Sequence, residues 1–215
     1  MHIEREPTGA AASYKLGPRP ADETATLADT FRRDDVVLVP GLLRGRMLDD
    51  VVRGVEGAPF DDRGDRGIAR ESRMVAPVLL ARLIFLANDP DVIDFVRAVT
   101  GCPELGRFSG RVYRFLAGAE HFDSWHDDVA GDRRVAMSLN VGSGRPEGGD
   151  LLLRAKGSEH ATVTRYGDPG DALLFRVAEH LEHQVNPVRG AMPRTAFVGW
   201  YLDGGAFADV LQRPA

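Results

Sequence analysis

The stretch RRVAMSLNVG, residues 133–142, decides the fold class of the C-terminal half of this chain. Its apolar side chains alternate with other residues, at Val135, Met137, Leu139 and Val141. Residues two apart lie on the same face of a β-strand, so the alternation predicts a strand.

Short apolar runs separated by turn signals occur on both sides of this stretch. The runs are RVYRFLA (111–117), GGDLLLR (148–154), DALLFRV (171–177) and RTAFVGWYL (194–202). Gly118 and the Asp168-Pro169-Gly170 triplet are typical of the turns between strands. Strands at this spacing favour a sandwich or a barrel.

The N-terminal half has a different pattern, which predicts helices. Apolar residues recur at helical spacing in 45–55, and 78–88 continues the apolar core. Residues 89–101 form a third predicted helix, which begins at Asp89-Pro90 and ends at Gly101. The run at 34–43 predicts a strand, and the polar, Gly-rich segment 56–73 predicts a long loop.

Composition excludes several classes of protein. The 215 residues carry a net charge of −5, from 27 basic and 32 acidic residues, so no overall charge attracts nucleic acid or an anionic membrane. Cys102 is the one cysteine, which excludes an intrachain disulfide. The start has no apolar signal region, and no run of 18 apolar residues occurs. We therefore expect a soluble, cytoplasmic protein with no nucleic-acid or membrane partner.

Residues 121–128, HFDSWHDD, contain two His-x-Asp motifs, His121-Phe-Asp123 and His126-Asp-Asp128. On a strand, such a spacing presents an imidazole and a carboxylate to the same ion. A second histidine from elsewhere would complete the two-histidine, one-carboxylate set that non-haem Fe(II) enzymes use for oxygen chemistry. The spacing alone leaves open which pair binds.

The third ligand also remains open on spacing alone. The candidates are His160, His180 and His183. We expect His160 to be exposed, because it lies in the polar segment KGSEHAT. His2 lies in the N-terminal arm.

Seven short motifs follow one another over residues 110–202. In chain order they are Tyr113, WHDD (125–128), SLN (138–140), EGGDLLLR (147–154), DPGDALLF (168–175), HQVNPV (183–188) and PRTAFVGWYL (193–202). No single motif is specific, but their order resembles that of the Fe(II)/2-oxoglutarate-dependent dioxygenases, in the branch that is similar to prolyl 4-hydroxylases.

The resemblance implies an α+β fold, a double-stranded β-helix (a cupin-like jelly roll) with supporting N-terminal helices. Residues 1–22 are rich in Gly, Ala and Pro and show no periodicity, so we expect a flexible arm there. The implied organisation of the rest is one oxygenase domain over 23–215. Within that domain, helical support covers 23–105 and the jelly-roll core covers 106–203.

The resemblance also implies a ligand set. His126, Asp128 and His183 correspond to the iron ligands, since WHDD fits the family frame and His183 follows His126 by 57 residues, a separation usual in the family. His121 and Asp123 remain an alternative pair, because HFDS fits the plainer pattern. His180 is expected to face away from the iron.

Arg194 corresponds to the family residue that binds the far carboxylate of 2-oxoglutarate. On a strand it would share an apolar face with Ala196, Val198 and Trp200, where a charge needs a partner. Tyr113 and Ser138 correspond to hydroxyl groups near the same carboxylate. Asn140 is a further pocket candidate, and Arg154 and Arg176 are candidate substrate contacts. The implied cofactors are Fe(II), 2-oxoglutarate as cosubstrate and O2, with ascorbate as reductant.

The implied activity is hydroxylation of an unactivated C–H bond, with release of succinate and CO2. The carboxylate of Asp128 argues against a halogenase, which lacks this ligand. The implied substrate is an amino acid, a peptide or a small natural product, and the sequence does not distinguish among these. The sequence does not indicate the oligomeric state either. The alternative is a cupin-like metal-binding protein or enzyme that does not use 2-oxoglutarate.

Overall fold

A computed structural model describes residues 19–65, 69–207 and 209 of the chain. The helices that lie wholly within the described residues are in the N-terminal half, and the strands extend through the whole described chain. The helices are α1 (Ala21–Asp34), α2 (Gly45–Glu56), α3 (Pro77–Ala87) and α4 (Pro90–Thr100). The strands are β1 (Val36–Val39), β2 (Phe60–Asp65), β3 (Ala69–Met74), β4 (Leu105–Phe115), β5 (Phe122–Asp123), β6 (Arg133–Asn140), β7 (Glu147–Gly148), β8 (Leu151–Ala155), β9 (Thr162–Thr164), β10 (Ala172–Arg176), β11 (Leu181–Val185), β12 (Val188–Arg189) and β13 (Arg194–Asp203).

The three predicted helices are confirmed as α2, α3 and α4. The Asp89 carboxylate accepts a hydrogen bond from the backbone N–H of Asp91, which caps α4, and Gly101 ends the helix with a φ of 68°. Most of the predicted arm, 1–18, lies outside the described residues, and its last two residues begin α1. No helix in the described ranges has both the length and the apolar character needed to cross a membrane.

The prediction of a long loop over 56–73 is wrong. This segment contains β2 and β3, which form an antiparallel hairpin, and β3 also pairs with β4 and β5. The hairpin lies at the edge of the sheet, and its strands carry charged residues on both faces. Among its residues whose burial the structure describes, only Glu71, Ser72 and Met74 are buried. A strand exposed in this way has no apolar alternation by which sequence could reveal it.

Two opposed sheets form a jelly roll, built mainly from strands of the C-terminal half. The large sheet has the order β1-β10-β6-β13-β4-β3-β2, with β5 paired to β3. The small sheet has the order β11-β8-β9, and β12 pairs with β7. The fold is therefore the predicted α+β class, with a double-stranded β-helix.

Two apolar layers position the site. One lies between the helices and the outer face of the large sheet, and includes Val96, Phe108 and Phe197. The other lies between the two sheets, and includes Leu153 and Phe175. The space that remains between the sheets is the cavity described below.

Gly110 and Gly199 are in register across β4 and β13, at a close backbone approach. A Cβ on Gly199 would lie 2.1 Å from the Ser109 carbonyl oxygen and 2.8 Å from the Phe108 ring. Because neither neighbour can move aside freely, we expect Gly199→Ala to lower the free energy of unfolding by about 1–3 kcal/mol.

Thermal and urea unfolding would measure this change. The matched control is Gly57→Ala, whose added Cβ meets only backbone oxygens at 3.6 Å or more. An unchanged unfolding free energy in Gly199→Ala would show that the two strands are not packed as closely as described.

Candidate functional site

The two predicted ligand histidines are joined through their backbones. The N–H of His126 donates to the His183 carbonyl at 3.0 Å, and the N–H of His183 donates to the His126 carbonyl at 2.8 Å. This antiparallel bridge places the two imidazole rings next to each other, with 4.3 Å between their centroids. Residues 57 apart in sequence therefore meet where β11 passes the loop after β5.

Asp128 completes a group of three potential metal ligands. One donor atom from each of His126, Asp128 and His183 lies within 4.8 Å of the other two, and this is the one such group among the described residues. The Asp128 Oδ2 is 3.6 Å from His183 Nε2, and Oδ1 is 3.9 Å from His126 Nε2. The structure thus brings together the three residues named from sequence, in a geometry that could hold one ion.

Each of the two imidazoles has a ring nitrogen whose lone pair is available to a metal ion. His126 Nδ1 lies 2.7 Å from the Ser124 carbonyl oxygen, so Nδ1 carries a hydrogen and donates it, which leaves Nε2 as an acceptor. Burial lowers the pKa of His183 to about 4, although the Asp128 carboxylate acts in the opposite direction. His183 is therefore neutral at pH 7, which is the form that binds a metal.

The side chains of the alternative pair, His121 and Asp123, lie in different surroundings and have different partners. His121 Nδ1 accepts a hydrogen bond from the Leu116 N–H at 3.0 Å, and its Nε2 is 3.6 Å from Asp62 in β2. His121 thus faces the hairpin and is not part of the group of three. Asp123 accepts a hydrogen bond from the Val185 N–H at 2.8 Å and lies beside His126.

Asp123 is a buried carboxyl group on the wall of the site. Burial raises its pKa to about 6, and the neighbouring His126 opposes this shift. Its hydrogen bond to Val185 ties β5, in the large sheet, to β11 in the small sheet. The side chain therefore supports the strand that carries His183.

Arg194 is a buried cation at one end of the same cavity. It is 2% exposed, its Nη2 donates to Ser138 Oγ at 2.9 Å, and its Nε donates to the Gly149 carbonyl at 3.1 Å. Its guanidinium lies over the Tyr166 ring, 4.4 Å from the centroid. No carboxylate of the described ranges lies within ion-pair distance of it, and a buried charge without a counter-ion is costly.

The cavity that connects these groups has a volume of about 360 Å³. Tyr113 lies on its wall, with a pKa raised first by burial and then by the carboxylate of Glu71. Aromatic and aliphatic residues cover part of the remaining surface, among them Phe115, Leu151 and Phe175. A larger cavity of about 680 Å³ lies between the helices and the outer face of the large sheet, but it is mainly apolar and lacks the ligand group.

Several other residues considered from sequence lie elsewhere. The side chain of Asn140 does not line the cavity, because it bonds to the backbone of Gly142, Gly144 and Gly167. Arg154 and Arg176 do not line it either: Arg154 pairs with Glu182 and Arg176 with Asp35. As expected, His160 is exposed, and so is His180.

Sequence reasoning missed two contacts of Arg194. Tyr166 stacks on the guanidinium, but it lies in a segment without strand periodicity. Gly149 adopts a φ of 71°, and a Cβ there would lie 2.8 Å from Arg194 Cδ. The paired glycines 148 and 149 were the available signal, since glycine at a positive φ lets the backbone approach closely.

One further observation concerns the family of the C-terminal segment. Residues 110–202 match the family model described as the 2OG-Fe(II) oxygenase superfamily. This segment belongs to the 2OG-Fe(II) oxygenase superfamily. The family predicted from sequence is thus confirmed, and with it the class of enzyme, a 2-oxoglutarate-dependent oxygenase. Oxygenases of this superfamily use Fe(II), 2-oxoglutarate and O2.

Solved structures of oxygenases share the fold. An oxidoreductase of the 2OG-Fe(II) oxygenase family from Burkholderia pseudomallei is 18% identical, with a TM-score of 0.66 over 90% of this chain and 99% of that chain. A Pseudomonas putida prolyl-4-hydroxylase is 18% identical, with a TM-score of 0.60 over 84% of this chain and 99% of that chain. An α-ketoglutarate-dependent epimerase of nogalamycin biosynthesis is 16% identical, with a TM-score of 0.60 over 86% and 84%. Comparison with curated proteins finds no match.

Proposed function

We propose that this oxygenase hydroxylates an unactivated C–H bond of an amino acid, a peptide or a small natural product, with release of succinate and CO2. His126, Asp128 and His183 would be the iron ligands. The observation that carries the proposal is that this ligand group borders one cavity with a buried arginine that has no counter-ion among the described residues. A metal that coordinates a keto acid and a cation that binds its far carboxylate are the two requirements of 2-oxoglutarate chemistry.

The donor set fits ferrous iron. Two neutral imidazoles and one carboxylate are the ligands that non-haem Fe(II) oxygenases use, and they leave positions for other molecules. When bound, the iron would supply the activation of O2 and the oxidising power of the reaction. The chain itself orients His126 through the Ser124 carbonyl and keeps His183 neutral by burial.

Arg194 supports the cosubstrate assignment. Its planar guanidinium suits the two oxygens of a carboxylate, and the Ser138 hydroxyl and the Gly149 carbonyl fix its orientation. A bound carboxylate would supply the negative charge that this buried cation lacks among the described residues. Tyr113 lies on the wall of the same cavity and is a further candidate hydroxyl contact.

The hairpin of β2 and β3 is the candidate substrate side. Ala69 and Glu71 of β3 border the cavity, so a molecule that enters past the hairpin would contact them. The structural relatives include a prolyl-4-hydroxylase, a prolyl hydroxylase in complex with a peptide fragment, and an epimerase of nogalamycin biosynthesis. This range supports both a peptide and a small-molecule substrate for the chain.

Release of succinate tests the proposed function. We expect the purified chain with Fe(II), ascorbate and 2-oxoglutarate to form succinate under air, because many such sites decarboxylate the cosubstrate slowly without a substrate. A metal chelator should stop succinate formation, and so should omission of O2. Metal binding without binding or turnover of 2-oxoglutarate would contradict the proposal and favour the cupin-like alternative.

A further inference from the structure

Two side chains outside the ligand group hold Asp128, and we refer to Trp200 and Arg133 as the Asp128 clamp. Trp200 Nε1 donates a hydrogen bond to Asp128 Oδ2 at 2.8 Å. Arg133 Nη1 donates to the Asp128 backbone carbonyl at 3.2 Å and lies 3.8 Å from Oδ1. The Arg133 guanidinium also covers the indole of Trp200, with its central carbon 3.4 Å from the ring centroid.

A β-bulge directs Arg133 into this position. Along β6 and β13, Ala136 pairs with Trp200 and Val135 with Tyr201, but Leu202 then pairs with Arg133 and skips Arg134. In a regular ladder Arg134 would oppose Leu202 and share the face of Trp200. Because β6 carries one extra residue here, Arg133 takes that place, and Arg134 pairs with Asp203 at the surface.

The contacts of the clamp act on different parts of Asp128. The indole N–H fixes one carboxylate oxygen, Oδ2, while Oδ1 faces His126 Nε2 at 3.9 Å. The guanidinium fixes the backbone of the same residue and lies near the carboxylate, where its charge favours the negative oxygens. The stacking of guanidinium on indole orients both groups at once.

We propose that Trp200 and Arg133 are positioning residues that act as one unit to set the orientation of the Asp128 carboxylate toward the metal. This inference rests on the proposed function, because it takes Asp128 as a metal ligand. Residues that orient metal ligands typically change metal affinity or activity about 10–100-fold when they are replaced. The clamp should therefore influence the metal site without contacting the metal.

Cobalt(II) binding tests the clamp, since its visible absorption reports the ligand geometry and its titration gives an affinity. The variants are Trp200→Phe, which keeps the ring and removes the N–H donor, and Arg133→Gln. We expect each to weaken Co(II) binding about tenfold or more and to change the absorption spectrum of the bound ion. The matched control is Arg134→Gln, which removes the neighbouring surface charge and should leave affinity and spectrum unchanged.

The double variant shows whether Trp200 and Arg133 act together or independently on Co(II) affinity. If Trp200 and Arg133 act through the same carboxylate, Trp200→Phe with Arg133→Gln should lose little more affinity than the weaker-binding single variant. Losses that multiply would overturn the inference, as would single variants whose Co(II) affinity and spectrum equal those of Arg134→Gln. If a thermal melt shows that Trp200→Phe folds poorly, the Co(II) affinities and spectra of Arg133→Gln and Arg134→Gln are compared, and equal values would overturn the inference.

Asp128→Ala distinguishes failure of the inference from failure of the proposed function. If Asp128→Ala abolishes Co(II) binding while the clamp variants bind normally, only the role of the clamp is wrong. If Asp128→Ala binds Co(II) as tightly as the unaltered chain, the ligand assignment itself is wrong.

Discussion

The His183→Ala variant is expected to lose tight binding of divalent metal and all Fe(II)-dependent formation of succinate. One of the three proposed ligands disappears, and the loss of metal affinity should exceed the roughly 10–100-fold loss that follows changes around a ligand. The fold should persist, because the bridge between residues 183 and 126 uses backbone atoms only. Titration with Co(II) or Mn(II), together with a thermal melt of the metal-free protein, measures both quantities.

Other histidines of the chain provide the controls for this variant. His180→Ala removes an exposed imidazole three residues away and should bind metal normally. A comparison of His126→Ala with His121→Ala separates the two His-x-Asp motifs: we expect loss of binding only in the first. Loss of metal in His121→Ala with retention in His126→Ala would transfer the assignment to His121 and Asp123.

Replacement of Arg194 should weaken the binding of 2-oxoglutarate and leave the binding of the metal unchanged. In Arg194→Met we expect the affinity for 2-oxoglutarate to fall about 30-fold or more, which corresponds to the loss of one partner of a buried charge pair. Metal affinity should not change, because the guanidinium bonds to Ser138 and Gly149 and to none of the three proposed ligands. Calorimetric titration of 2-oxoglutarate into the Mn(II)-loaded protein measures the effect.

Two further variants sharpen the test of Arg194. Arg194→Lys keeps the charge but loses the planar pair of donors, so we expect an affinity between those of the unaltered chain and Arg194→Met. Arg154→Met is the control, since Arg154 pairs with Glu182 and does not border the cavity. Equal 2-oxoglutarate affinity in Arg194→Met and the control would contradict a role for Arg194 in cosubstrate binding.

The sequence was sufficient for the features that depend on local periodicity. The alternation in residues 133–142 predicted β6, and the Asp89-Pro90 start and Gly101 end predicted α4. It was insufficient for the β2–β3 hairpin, because a charged strand at a sheet edge is stabilised by backbone pairing and needs no apolar pattern.

For the candidate site, too, the sequence predicted the local residue types but not the contacts between distant residues. The residue types of a metal site were visible in HFDSWHDD, but two equivalent motifs could not be separated by spacing. The backbone bridge places His126, and not His121, beside His183, and this contact joins residues 57 apart. The bulge that directs Arg133, rather than Arg134, toward Trp200 is likewise a property of strand register.

The three proposed ligand side chains come from different sheets, which has a mechanical consequence. His126 and Asp128 follow β5, which belongs to the large sheet, whereas His183 belongs to β11 of the small sheet. An ion shared by them would therefore cross-link the two halves of the sandwich, and its binding energy would add to the energy that keeps them closed. Metal binding and unfolding are then linked equilibria, so that a higher occupancy of the site should raise the free energy of unfolding.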